Sequence, residues 1–202
     1  MSENFLTYTK VDPSNWLTVT AQKVTFTSMG NNATTYLYKD MGVGGITGSY
    51  SYNINTILNG TPSSSGQATV WAISNTLGDD AGIFAVGHSH VVKWSSASGL
   101  IYLEEYLNPS TPYAASYTPG LNKEVFLTVS RNTSVGTYGT LYLYIYADED
   151  RTILTTTLSV TLHENINYRY IYGCAGNNTS TAGQSISGYN KSPFAGIIAS
   201  SF

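Results

Sequence analysis

An all-β sandwich of two antiparallel sheets is the fold this sequence predicts, and three observations predict it. The stretch from Thr140 to Tyr146 alternates strictly, with Leu141, Leu143 and Ile145 on one side and Tyr142, Tyr144 and Tyr146 on the other. Successive strand residues project to opposite faces, so this is a strand with an aliphatic face for a core and an aromatic face left over. A polar turn from Ala147 to Thr152 follows, and alternation resumes from Ile153 to Leu162, with Leu154, Leu158, Val160 and Leu162 against Thr155, Thr157, Ser159 and Thr161; the pair reads as a β-hairpin. The remaining chain is a series of short apolar or alternating runs bounded by Gly, Asn, Pro and Ser, with no amphipathic helical period and no internal repeat.

Taken in order, residues 1–23 form an N-terminal arm of strand-like pieces around the turn signal Asp12-Pro13-Ser14-Asn15, pinned onto the sandwich by Trp16. Val24 to Ser28 and Thr34 to Asp40 read as strands, separated by Gly30-Asn31-Asn32, which tolerate positive φ. The glycine-rich segment 41–48 lacks the Lys-Ser/Thr ending and the following helix of a phosphate-binding loop, so it is a connection into a strand from Ser49 to Leu58. Gln67 to Asn75 is an apolar strand carrying Trp71. After the acidic loop 75–82, a long strand is expected from Ile83 to Trp94, with Phe84, Val86, His88, His90, Val92 and Trp94 on one face. Leu100 to Leu107 places Tyr102, Glu104 and Tyr106 opposite Ile101 and Leu103. Residues 108–120 hold three prolines and read as a surface loop. Val125 to Arg131 is a strand before the hairpin. Tyr168 to Tyr172 makes a second tyrosine row, 176–188 a polar loop, and Phe194 to Phe202 a terminal strand expected to pair near the N-terminal part of the chain.

All-β sandwiches commonly reach this size without splitting, so the 202 residues are expected to form one domain, 1–202. Only 10% of residues are charged, and Ser, Thr, Asn, Gly and Tyr supply the polarity. A net charge of -3 gives no basic footprint, which argues against nucleic acid and an anionic membrane as partners. Cys174, the single cysteine, has no internal disulfide partner and reads as a small buried hydrophobe. Neither a signal-like start nor a run of about 20 apolar residues is visible.

The order of pieces resembles the concanavalin A-like lectin/glucanase superfamily, in particular the laminin-G-like jelly-roll domains of phage and metagenomic type. The resemblance rests on Tyr38-Lys39-Asp40-Met41-Gly42 followed by Gly48-Ser49-Tyr50, and on Ile73-Ser74-Asn75 before an acidic loop. It rests also on Phe126 to Arg131 leading through Gly139-Thr140-Leu141 to Ile145-Tyr146-Ala147-Asp148, and on Leu158-Ser159-Val160 and Tyr168-Arg169-Tyr170. It implies two antiparallel sheets with a flat and a concave side, and glycan binding on the concave face or its rim loops. Some members of the superfamily are hydrolases or lyases, so the fold leaves the chemistry open.

Retaining glucanases of that superfamily carry Glu-x-Asp-x-x-Glu on one strand, which sets nucleophile and acid about 5 Å apart. This sequence lacks it. Glu104 and Glu105 are adjacent in a strand and point to opposite faces, and Asp148, Glu149 and Asp150 lie in a turn. A lyase needs a Tyr/His pair with Arg and an amide, and His88, His90, Tyr102 and Arg131 are only raw material for one. Sugar binding needs flat aromatic faces for the C–H side of a ring and short polar groups for its hydroxyls. His88, His90, Trp94, Tyr102, Glu104 and Tyr106 supply that mixture if they share one exposed face; the competing reading makes Phe84, Val86, Val92 and Trp94 core. The row Tyr142, Tyr144 and Tyr146 is open to the same two readings, binding platform or ordinary strand surface. Asn75, Asp79 and Asp80 are the candidate Ca²⁺ ligands, as oxygen donors on one loop, with backbone and water completing the 6 to 8 required.

The function expected from these residues is a non-catalytic, lectin-like module for an oligo- or polysaccharide, extracellular or on a virion surface, attached to a larger protein or self-associated. One alternative is a structural or receptor-binding virion or oligomerisation domain. A second is a polysaccharide hydrolase or lyase.

Overall fold

The computed structural model describes residues 4–30, 34–59, 66–95, 98–107, 112–178 and 185–192. After a short 3-10 turn, Phe5–Thr7, the chain runs through β1 (Thr9–Val11), β2 (Leu17–Val19), β3 (Lys23–Gly30), β4 (Tyr36–Asp40), β5 (Tyr50–Asn59) and β6 (Gly66–Ser74). It continues through α1 (Asp80–Val86), β7 (Ser89–Ser95), β8 (Leu100–Tyr106), β9 (Tyr113–Tyr117) and β10 (Val125–Asn132). Last come β11 (Thr140–Tyr146), β12 (Leu154–Thr161), β13 (Tyr170–Asn178) and β14 (Ser185–Lys191).

These strands form a jelly-roll sandwich of two seven-stranded antiparallel sheets, ordered β1-β4-β13-β6-β7-β8-β9 and β12-β11-β10-β5-β14-β3-β2. One hydrophobic cluster joins their inner faces. Leu37, Ile73, Val92, Trp94, Ile101, Leu103 and Ile171 come from the first sheet, and Phe26, Ile54, Leu58, Leu127, Val129, Leu141, Leu143 and Ile145 from the second. The alternation of β10, β11 and β8 therefore resolves as expected, with aliphatics inward. Cys174 is fully buried in this cluster, and burial pushes its thiol up to about 12. The N-terminal arm is part of the sandwich itself: β1 pairs with β4 in one sheet and β2 with β3 in the other.

Four expectations need correction. The expected long strand Ile83 to Trp94 is α1 followed by the shorter β7. Asp79 caps the helix by accepting a hydrogen bond from the Gly82 amide at 2.9 Å, which fixes its first turn. A Cβ at Gly87 would collide with the Thr76 hydroxyl, so the helix leaves through a position only glycine fits. The expected loop 108–120 contains β9, whose five residues lie between Pro112 and Pro119; as an edge strand it tolerates its polar composition. Leu154 is 52% exposed rather than inward, because the β11–β12 register shifts between Ile145 and Tyr146.

The expected polar loop 176–188 contains the start of β14, which lies in the middle of the second sheet between β5 and β3. Its polar sequence survives there because buried Asn190 is satisfied on every side. It accepts from the Thr56 hydroxyl at 2.9 Å and donates to the Gly173 carbonyl at 2.8 Å and the Val70 carbonyl at 3.3 Å. The expected terminal strand Phe194 to Phe202 lies outside the described residues. Among the described residues, no helix is long and apolar enough to cross a membrane.

Candidate functional site

Residues of β7 and β8 sort by parity onto two faces. Trp94 is paired with Ile101, His90 with Glu105 and Val92 with Leu103, and all of these point between the sheets. Lys93 with Tyr102, Val91 with Glu104, and Ser89 with Tyr106 point outward from the first sheet. The expected set therefore splits. Tyr102, Glu104 and Tyr106 share the outer face, as their alternation with Ile101 and Leu103 requires, whereas Trp94 and His90 lie on the inner one.

Trp94 is fully buried and donates its indole N–H to the Thr56 hydroxyl at 3.1 Å across the sandwich, so it is a core residue that no sugar ring reaches. His90 is 1% exposed, 2.6 Å from the Tyr50 hydroxyl through Nδ1, and packed against the Tyr168 ring at 4.8 Å. Burial, with help from the nearby Arg131 charge, lowers its pKa to about 3, so it stands neutral. His88 precedes β7, half-buried at one end of the sandwich, with Nδ1 3.6 Å from a Glu164 carboxylate oxygen. The misplacement follows from the register of the hairpin: Ser95 pairs with Leu100, so His90, Val92 and Trp94 keep their common face but share it with Ile101 and Leu103 rather than with Tyr102.

On the outer face the three retained residues are only partly accessible. Lys93 Nζ donates to Glu104 Oε2 at 2.8 Å and to the Tyr106 hydroxyl at 2.9 Å, and that hydroxyl donates in turn to Glu104 at 2.9 Å. Phe84 of α1 stacks on Tyr106 at 4.3 Å, and Lys93 Nζ lies within 5.7 Å of the Phe84, Tyr102 and Tyr106 ring centres. Glu104, Tyr106 and Lys93 are buried, and Tyr102 is half-buried at their margin. Burial first, and then the Glu104 charge, raises the Tyr106 pKa well above its ordinary value. As expected, Glu105 points the other way. Its carboxylate accepts from the His163 backbone amide at 3.1 and 3.2 Å and contacts the His163 ring at 2.8 Å, with Tyr113 stacked on that ring.

Beside α1 the same outer face carries an aromatic group that the sequence-predicted site omits. Tyr36 and Tyr38 of β4 stand next to Tyr170 and Tyr172 of β13, with ring centres 5.8 to 6.3 Å apart. Tyr172 is fully buried, donating its hydroxyl to the Thr76 carbonyl at 2.8 Å and accepting from the Gly78 amide at 3.3 Å. It anchors the three others, which are half-buried with solvent in reach. Arg169 closes the edge, bonded twice to Asp40 at 2.9 and 2.7 Å and lying 5.0 Å over the Tyr170 ring. The signal in the sequence is the repeated Tyr-x-Tyr of 36–38 and 170–172. Pairing of β4 with β13 is what converts two rows into one surface.

The candidate calcium ligands do not converge. Asp79 is the α1 cap. Asp80 is fully buried and accepts from the Thr69 hydroxyl, and Asn75 donates its amide to the Asn167 carbonyl at 2.9 Å. Among the described residues, no group of three or more His, Cys, Asp or Glu could hold a metal ion. The residues present do not fit the ion that the resemblance implies.

No protein-family model matches the chain, and no curated protein matches its sequence. Solved structures do match in fold. The legume lectin-like domain from Entamoeba histolytica superposes with a TM-score of 0.59 at 12% identity, over 93% of this chain and 87% of that one. The exoplasmic/lumenal domain of VIP36 in its Ca²⁺/Man2-bound form gives 0.60 at 14% identity, over 94% and 82%. A variant of alginate lyase A1-II' gives 0.53 at 15% identity, over 88% and 80%. The fold is thus the concanavalin A-like jelly roll, which lectin-like domains and a lyase share.

Proposed function

We propose that this protein is a non-catalytic carbohydrate-binding module that takes a glycan across the outer face of its first sheet. Tyr38 and Tyr170 stack on sugar rings, Tyr36 extends the platform, and Tyr102 offers a further contact on the far side of α1. The observation that carries this reading is the four-tyrosine group on two paired strands, three rings half-buried and the fourth locked beneath them. Rings held in place before binding lose little conformational freedom, and their faces suit the C–H side of a pyranose. The hydroxyls of the three half-buried tyrosines, and the Asp40–Arg169 pair at the edge of the group, offer polar partners for its hydroxyl groups.

A non-catalytic role is supported by the state of the carboxylates. Glu104 is neutralised by Lys93, and Glu105 is occupied by His163 on the opposite face, so neither is poised as the partner acid or base of the other. The Man2 ligand of the VIP36 domain supports a glycan ligand here by likeness of fold alone, and its Ca²⁺ is not carried over to Asn75, Asp79 and Asp80. A glycan partner suits an extracellular or virion-surface setting.

A glycan array followed by calorimetry, with particle size measured in parallel, tests the proposal. Binding to at least one glycan class is expected. Failure on every glycan together with a stable oligomer would replace this reading with a structural one. Release of reducing ends or unsaturated products from polysaccharides would make the protein an enzyme.

A further inference from the structure

At one end of the sandwich the β10–β11 turn, the β12–β13 connection and Gly48 enclose an open depression of about 280 Å³, lined by Gly48, Thr133, Thr137, Tyr138, Asn165 and Asn167. None of these residues is charged. Beneath them lies Arg131, pointing inward from β10 and 1% exposed. Its guanidinium donates to the Ile166 carbonyl at 3.2 Å, the Tyr138 carbonyl at 3.2 Å and Asn165 Oδ1 at 2.9 Å, while its buried Nε–H has no partner.

Among the described residues, no carboxylate lies within ion-pair distance of Arg131. Of the neighbouring acids, Glu105 is held by the His163 amide and ring, and Glu164 Oε2 lies 3.6 Å from His88 Nδ1. A buried cation held only by neutral acceptors leaves a positive potential at the nearest opening, weakly screened because the medium between is protein. Its reach shows inside the fold, where its charge helps to keep His90 neutral.

The depression amplifies that bias toward an anion. A guanidinium has donors only, so it fixes Asn165 with oxygen inward and leaves the Nδ2 donor pair turned away from it. Thr137 and Asn167 line the same depression. A space of this size falls just below the usual range for ligand pockets, which suits one sugar ring rather than a chain.

We propose that this depression is a second binding site, which takes a single hexuronate residue through its carboxylate. The carboxylate follows from the charge and donor pattern of the site; that a sugar carries it rests on the carbohydrate-binding reading above. Asn165 and Thr137 are the contact residues, and Arg131 is a positioning residue acting through Asn165.

Titration of the full chain with sodium glucuronate, followed by amide chemical shifts, tests this. Saturable shifts at Thr133, Thr137, Asn165 and Asn167 are expected, with methyl glucoside and sodium acetate each at least tenfold weaker. Asn165→Asp keeps an oxygen for Arg131, so the variant folds; it supplies the missing counter-charge and removes the donors, so glucuronate shifts at these amides are lost. Equal affinity for glucoside and glucuronate, or undiminished binding by Asn165→Asp, overturns the proposal. Acetate binding as tightly as glucuronate overturns the sugar part of it. Glucuronate shifts confined to the amides of Tyr38 and Tyr170 overturn this site and leave the outer-face reading standing, whereas shifts at the depression with an inert outer face do the reverse.

Discussion

Tyr142, Tyr144 and Tyr146 on the second sheet and Tyr36, Tyr38 and Tyr170 on the first are the same residue type, half-buried on outer faces, yet their surroundings have little in common. The second-sheet row runs along a single strand. Its rings lie parallel, Tyr142 to Tyr144 at 5.9 Å and 17°, among the cross-strand neighbours Thr128, Ser130, Thr157 and Ser159. The first-sheet group crosses two strands at mixed angles, rests on the buried and doubly bonded Tyr172, and is flanked by α1 with an ion pair enclosed beneath it. Tyrosines favour strands wherever there is a pleated, half-buried surface. A site requires in addition that something hold the rings and set polar groups beside them.

The largest effects test whether the β7–β8 hairpin has the two unlike faces described. Trp94→Ala empties a fully buried position and removes the hydrogen bond to Thr56. A loss of about 3 to 5 kcal/mol is expected, read as a steep fall in melting temperature. Tyr102→Ala, on the opposite face of the same hairpin, should cost about 1 kcal/mol or less. A melting temperature for Trp94→Ala close to that of the parent would return Trp94 to the list of exposed candidates.

Nearly as large is the effect of breaking the ion pair under α1. Lys93→Met leaves the Glu104 carboxylate buried without its cation, at a cost of about 3 kcal/mol or more by urea denaturation. The corresponding outward change on the second sheet, Ser159→Ala, should stay within about 0.5 kcal/mol. If both are neutral, the two outer faces are alike and the covered half of the first is not sealed.

How much of this was legible in the sequence depended on whether a local pattern had a competitor. For β8, β10 and β11 the period of two had none, and each set of faces is as the alternation predicts. In residues 79–95 the same alternation is present, but Asp79 caps a helix first, and an aliphatic run after a cap satisfies either structure. His90 and Trp94 keep the common face that the alternation predicts, but the pairing of Ser95 with Leu100 sets that face with Ile101 and Leu103, because a change of register by one residue exchanges the faces. The tyrosine platform was out of reach for another reason. Tyr38 and Tyr170 are 132 positions apart, and no local pattern states that β4 and β13 are neighbours. The same holds for β14, whose place in the sheet depends on Asn190 finding partners in both sheets.

A smaller effect concerns the polar interior. The His90 pKa is about 3 in the folded protein and near 6.5 when the chain is unfolded, so between those values the unfolded state binds a proton that the folded state does not. The contribution of neutral His90 is complete above about pH 6.5 and is lost as pH falls, by up to about 1.4 kcal/mol per unit. Denaturation at pH 6.5 and 5.2, a window above most carboxylate titration, should show that loss in the parent and a flatter response in His90→Gln. An equally steep decline in the variant would assign the acid sensitivity to other groups.

The smallest energetic change is the one that decides between the two tyrosine surfaces. Tyr170→Ala removes a half-buried ring whose main contacts are Tyr38 and the Arg169 side chain, so stability should change little. A ring stacked on a sugar contributes on the order of 1 kcal/mol, so the affinity for a glycan found on the array should fall roughly tenfold. Tyr144→Ala removes a ring of equal size from the second sheet and should leave that affinity within about twofold, because its ring contact among the described residues is its strand neighbour Tyr142 rather than a buried, doubly bonded ring such as Tyr172. Calorimetry on the two variants, with melting temperatures as the folding control, compares like with like. A tenfold loss in Tyr144→Ala and none in Tyr170→Ala would transfer the binding face to the second sheet. Equal losses in both would mean that tyrosine content, rather than the support under it, is what the glycan reads.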